Sequence, residues 1–132
     1  MATLAQQNQK ASRNGRLGEN YASIMYQTEI ATNAIHDGTY NGAPLEVKTC
    51  MNWITDAGNS RARRRGRFYL PRFQHAALLR ADGNYAFFVI AEDGALLFAK
   101  LVTASFLEEH EYVRPRGTSQ IVWTHLFPEV SY

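Results

Sequence analysis

The chain has a single cysteine, Cys50, in 132 residues. That excludes an intrachain disulfide framework and a multi-cysteine zinc site. No run of about 18 apolar residues occurs, so no membrane-spanning helix is predicted. The polar start, Met1-Ala2-Thr3-Leu4-Ala5-Gln6-Gln7-Asn8-Gln9-Lys10, lacks the apolar core of a signal peptide. The expectation is a soluble, cytoplasmic protein. The formal charge of +2 is too small to assign a partner by itself. His36, His75, His110 and His125 show no metal-ligand spacing. Neither a Walker-type glycine loop nor a serine-nucleophile elbow is present. There is no internal repeat and no low-complexity segment.

The remaining composition is that of a folding chain: 45% apolar, 12% aromatic and 20% charged residues. One domain is the simplest organisation at this length. The pattern predicts a loose polar arm over residues 1–13 and a single domain over 14–132. Leu17, Tyr21, Ile24, Met25 and Thr28 recur at helical spacing and predict a helix over about 15–28. Residues 30–37 read as a strand, 38–43 as a turn and 44–50 as a second strand. Residues 51–66 read as loop and 67–70 as a short strand. Pro71 and Gly83 bracket a second helix. Residues 85–91 are an apolar run that suits a buried strand. Glu92-Asp93-Gly94 is a tight turn, and 95–102 pairs back as a hairpin. Ser105 is placed to cap a short helix ending at His110, residues 114–117 read as loop, and residues 120–126 as a last strand. This order predicts an α/β or α+β fold with one mixed central β-sheet flanked by helices.

Within that frame, Asp37 and the triplet Glu46-Val47-Lys48 carry the most chemistry. Side chains alternate along a strand, so Glu46 and Lys48 point one way and Leu45 and Val47 the other. The Gly/Asn-rich connection can fold Asp37 back beside Glu46. Two carboxylates and an ammonium then converge, as divalent-metal phosphodiester hydrolysis requires. A Glu-x-Lys step alone is common, and an exposed strand face with an ion pair is its plain alternative. The added Asp37 and the turn favour the metal site, because paired carboxylates repel unless a cation or proton intervenes.

These residues also carry a resemblance. A helix with Gly15-Arg16-Leu17-Gly18-Glu19, then an Asp, then Glu46-Val47-Lys48-Thr49, then a helix bearing Gln74 resembles the PD-(D/E)XK nuclease superfamily. It covers about residues 15–90. The small size and the Gly-x-x-Gly-Glu start resemble archaeal-type Holliday junction resolvases, and Asp37-Gly38 is similar to small type II restriction endonucleases. The resemblance implies a restriction-endonuclease-like core and a metal-dependent endodeoxyribonuclease acting on branched or duplex DNA. It implies that Asp37, Glu46 and the helix-borne Glu19 hold Mg²⁺ or Mn²⁺, with no organic cofactor. Lys48 would orient or activate the attacking water, or stabilise the transition state. Gln74 would be an auxiliary polar residue. The products would carry 5′-phosphate and 3′-hydroxyl ends. The family's Pro before the Asp is His36 here.

Other residues keep two readings. Glu19 near a helix start is favoured by the helix dipole without any catalysis, although a small face of Glu19, Ala22, Ser23 and Tyr26 can look onto the site. Gln74 can be a solvated helix residue. Five of the 14 Lys/Arg, namely Arg61, Arg63, Arg64, Arg65 and Arg67, fall within seven positions. Arginine forks match phosphate oxygens, so this run is read as a DNA-backbone contact, with a solvated loop as the alternative. Lys10, Arg13 and Arg16 extend that surface. Cys50 reads as a small buried thiol, and Trp53 and Trp123 as packing residues. His36 either ends a strand or partners the site. Cutting both strands needs two sites, so a homodimer is expected, with 85–91 or the last strand as interface elements. The rival readings are a restriction-type or repair nuclease, a non-catalytic DNA-binding domain and a structural subunit.

Overall fold

A computed structural model describes residues 4–30, 36–55 and 63–130, with side chains from residue 12 onward. In chain order the elements are α1 (Leu4–Tyr26), β1 (Glu29–Ile30), β2 (Gly38–Tyr40), β3 (Ala43–Met51), β4 (Trp53–Thr55), β5 (Arg63–Arg65) and β6 (Arg67–Pro71). They are followed by α2 (Arg72–Arg80), β7 (Asn84–Ile90), β8 (Leu96–Thr103), α3 (Ala104–Glu109), β9 (Thr118–Val122) and α4 (Trp123–Leu126). The main sheet has the order β1-β2-β3-β7-β8. Only β3 and β7 run parallel, and the other neighbours are antiparallel. The mixed sheet with helices on its faces bears out the predicted fold class. Among the described residues no helix is long and apolar enough to cross a membrane.

Strand β7 explains why the sheet needs cover on both sides. Tyr85 to Ile90 are all fully buried. A strand apolar on both faces must be sandwiched. Tyr85, Phe87 and Val89 join Cys50, Phe68, Leu70, Leu78, Leu107, Ile121 and Trp123 in the larger core, under α2, α3, α4 and the β6–β9 pair. Ala86 and Phe88 join Leu45 and Ala22 in the smaller core, under α1. Strand β7 therefore cannot be the dimer interface offered for 85–91, because both its edges and both its faces are occupied.

Helix α1 differs from the expectation in extent and in facing. It begins at Leu4, so the segment predicted as a loose arm is helical from that residue on. Its Leu, Ala, Gln and Lys residues are good helix formers, and polarity alone did not reveal this. The predicted apolar stripe is buried only in part: Leu17 and Tyr21 are half-buried and Thr28 is buried, but Ile24 is 78% and Met25 47% exposed. The buried face is Gly18 and Ala22, flanked by Leu17 and Tyr21, with Tyr26 and Tyr21 packed against Phe88. Gly18 is essential to this contact. A Cβ there would lie 2.0 Å from Thr49 Oγ1 and 3.1 Å from Val47 Cγ1 on β3.

Further expectations change or fall outside the described residues. The predicted strand over 30–37 includes residues 31–35, which lie outside the described residues. The predicted turn over 38–43 shrinks to two residues, because Gly38–Tyr40 pairs with Ala43–Leu45. The predicted loop over 51–66 contains β4 and β5, with Trp53 opposite Arg65. Cross-strand pairing of arginine with tryptophan overrides the weak local pattern. The last strand ends at Val122, and the remainder of the predicted 120–126 strand is α4. Helix α3 is capped by Thr103, whose Oγ1 accepts from Phe106 N–H at 3.0 Å, not by Ser105.

The two glycines of α1 predict opposite outcomes. A Cβ at Gly15 meets nothing within 4 Å. Gly15→Ala should raise stability by about 0.5–1 kcal/mol through helix propensity. Gly18→Val should lower it by about 1–3 kcal/mol through overpacking. Urea denaturation midpoints of the two variants check this.

Candidate active site

The site starts with a hairpin whose register is set by two residues. Asn41 (φ 50°) and Gly42 (φ 81°) both adopt left-handed backbone. That is the signature of a two-residue type I′ turn, which matches the twist of antiparallel strands. The register runs Tyr40↔Ala43, Thr39↔Pro44 and Gly38↔Leu45. One step further sets Asp37 opposite Glu46. Val47 N–H donates to Asp37 Oδ2 at 2.8 Å, which fixes the carboxylate against β3.

Asp37 and Glu46 are neighbours, and each carboxyl group acts on the other. Glu46 is only 2% exposed. Burial, and then the charge of Asp37, push its pKa up to about 7. His36 Nδ1 lies 2.9 Å from Glu46 Oε1, so the histidine is a direct partner of the buried acid. Lys48 projects from the same face of β3. Its Nζ donates to Gln74 Oε1 on α2 at 2.7 Å. Burial lowers the Lys48 pKa, while Glu46 and Asp37 act against that shift. Glu19 enters from α1, on the turn that Gly18 presses onto β3. Burial, and then the Asp37 carboxylate, raise its pKa. The five predicted residues Asp37, Glu46, Lys48, Gln74 and Glu19 are thus gathered into one region, linked by contact or by charge.

The same strand face passes from chemistry to core. Two residues beyond Lys48 comes Cys50, buried in the larger core as predicted. Burial raises its thiol pKa strongly, so the thiol stays neutral. Beside β3 runs a cleft of about 380 Å³ between α1, β3, β4 and β6, lined by Asn14, Gly15, Thr49, Ile54, Arg67 and Tyr69 among others.

Of the arginines in the run, Arg67 lines this cleft. Arg63 and Arg65 stack on the Trp53 ring, with guanidinium carbons 5.4 and 5.1 Å from its centroid. Arg65 also lies 5.9 Å from the Trp123 ring. Arg67 Nη1 donates to Gln120 Oε1 at 3.0 Å. Arg61 lies outside the described residues. Arg13 donates to Asn14 Oδ1 and to the Glu92 carbonyl, tying α1 to the β7–β8 turn, and Arg16 is exposed. Trp123 packs in the core as expected, whereas Trp53 is half-buried beneath arginines.

The sequence matches the PD-(D/E)XK nuclease superfamily domain over residues 5–127. The chain belongs to the PD-(D/E)XK nuclease superfamily. A search of the curated proteins finds no match. The superfamily assignment makes phosphodiester hydrolysis the activity class.

The donor set of Asp37 and Glu46 suits a hard divalent cation. Among the described residues no three His, Cys, Asp or Glu side chains form a ready-made metal cage. Mg²⁺ seldom uses one. It commonly takes one or two carboxylates and completes its shell with water and substrate phosphate oxygens. The acid pair could meet that need, and burial followed by the Asp37 charge disfavours the ionised form of Glu46. Sequence reasoning did not anticipate His75, Tyr85 or Glu108 near the site. They come from three separate elements, and no local spacing links them.

The Glu46 shift has a measurable consequence. Its folded pKa of about 7 lies above the ordinary carboxylate value of 4.5, so the folded state holds an extra proton between these values. Stability should therefore be greatest at the acid end of this window and fall as pH rises through about 7. Denaturation in chelator at about pH 5 and about pH 8 should show a loss on the order of 2 kcal/mol that Glu46→Gln removes.

Proposed function

We propose that this nuclease is a Mg²⁺-dependent DNA endonuclease, structure-selective in the manner of Holliday junction resolvases. The observation that carries the reading is the acid pair Asp37–Glu46, with Lys48 on the same strand face. Asp37 and Glu46 would hold Mg²⁺, or Mn²⁺ in its place, with Glu19 adding negative charge from α1. The cation would supply Lewis-acid stabilisation of charge at the attacked phosphate. Lys48 would stand beside that phosphate, orient the attacking water and offset developing negative charge. Gln74 would keep the ammonium in place by accepting one of its protons. The burial of Glu46 would strengthen its interactions, since water screens them less there.

The arginines support the choice of DNA. Guanidinium groups stacked on Trp53 keep their N–H forks in a defined plane, and the stacking limits their rotamers. Such groups would grip backbone phosphates without reading sequence. That suits an enzyme that recognises the shape of DNA. Cutting both strands of a junction would take two copies of the site, which a symmetric homodimer supplies.

Two measurements test this reading. Mg²⁺-dependent cleavage of a four-way junction, a linear duplex and a single strand should favour the junction. Lys48→Ala should slow cleavage by about 10²-fold or more while leaving DNA binding intact. Equal inertness of wild type and Lys48→Ala would support a non-catalytic binding domain, and cutting of one short palindrome alone would support a restriction-type enzyme. Affinity should also fall with salt. Replacing Arg63 and Arg65 by Ala should flatten the log–log salt slope by about 2, near one per lost phosphate contact.

A further inference from the structure

Helix α2 carries Gln74, the residue that holds the Lys48 ammonium, yet its first turn has no side-chain cap. Pro71 occupies the N-cap position and offers no side-chain acceptor. The turn is held by other means. Arg72 N–H donates to the Gly117 carbonyl at 2.7 Å. Both residues that flank Phe73-Gln74 then reach one acid on α3. Arg72 Nη1 and Nη2 donate to Glu108 Oε2 and Oε1 at 2.9 and 3.3 Å. His75 Nε2 lies 2.9 Å from Glu108 Oε2.

The chain of contacts continues inward. His75 is fully buried, and its Nδ1 lies 3.0 Å from the Tyr85 hydroxyl. The two rings stack at 5.8 Å. A carboxylate only accepts, so His75 Nε2 carries the proton and donates to Glu108. The Nδ1 atom is then an acceptor for the Tyr85 O–H. Tyr85 is the register partner of Glu46 across the parallel β3–β7 pair, and the Glu46 charge is felt at its phenol. Burial lowers the His75 pKa despite Glu108, which keeps the imidazole neutral and the direction of these bonds fixed. Arg72 is the main cause of the lowered Glu108 pKa, which keeps the acid ionised.

We propose that Glu108 is a positioning residue for the nuclease reaction. Through Arg72 and His75 it fixes the first turn of α2, and with it the Gln74 carbonyl oxygen on which Lys48 rests. His75 and Tyr85 extend the same brace to the strand beside Glu46. Glu108 touches none of the reacting groups, and its side chain is 41% exposed. Its removal therefore leaves the core packed while releasing the helix start. The role rests on the reading of the site as a nuclease.

Steady-state cleavage by wild type, Gln74→Ala, Glu108→Ala and the double variant tests it. Glu108→Ala should lower kcat about tenfold with KM for DNA unchanged, as a small displacement of an aligned group does. The double variant should be no slower than Gln74→Ala, because both changes act through the same contact. Glu108→Gln keeps an acceptor for His75 and should recover most of the rate. Tyr85→Phe is the second probe, used if circular dichroism shows Glu108→Ala unfolded. It removes one hydroxyl from the other end of the brace and should cause a smaller loss that also vanishes in the Gln74→Ala background. Multiplying losses in either double variant, or an unaffected Glu108→Ala, would overturn the positioning role and leave the nuclease reading standing. A wild type that cleaves no DNA would overturn both.

Discussion

Two neighbouring acids, one of them buried, set the terms for the rest of this structure. Asp37 and Glu46 repel each other when ionised, and Glu46 is almost entirely buried. Left alone, such a pair would be pushed apart or neutralised. The fold keeps it together with a tight turn, a backbone N–H from Val47 and the imidazole of His36. Lys48 adds a positive charge on the same face. In the proposed reading a divalent cation would complete this balance.

The helices act on this pair indirectly. Gly18 lets α1 press against Thr49 and Val47, and that closeness carries Glu19 to within electrostatic reach of Asp37. Helix α2 lends Gln74 to Lys48, while its buried residues His75 and Leu78 belong to the core. Strand β3 joins the two roles. Along one face it runs from Glu46 and Lys48 to Cys50, from charge to packed core. The same burial that lowers the Lys48 pKa thus comes from the packing that stabilises the domain. Site and core share one strand, so changes in one are felt in the other.

Local pattern reached some of these residues and missed others for identifiable reasons. Strand parity correctly separated Glu46 and Lys48 from Leu45 and Val47, because alternation depends only on the pleat. The apolar run at 85–91 was legible as a buried strand, observed at Asn84–Ile90. The helical stripe through Ile24 and Met25 misled, since what faces the sheet is decided by close approach at Gly18 and Ala22, not by apolar count. The arginine segment looked like loop because its stabilising partner, Trp53, lies across an intervening connection. Residues after Val122 looked extended, yet Trp123 and Leu126 turn into a short helix that buries both in the core.

The sequence by itself determined the hairpin that opposes Asp37 to Glu46, the face shared by Glu46 and Lys48, and the class of fold. Those follow from turn chemistry, pleat period and apolar pattern, all of which act over a few residues. Only the tertiary structure decided that His36 meets Glu46, that Lys48 rests on Gln74, and that Glu108 braces the helix start through Arg72 and His75. Most of these contacts join residues far apart along the chain, and all depend on how elements pack. Packing is settled by the joint shape of many side chains, which no local spacing records.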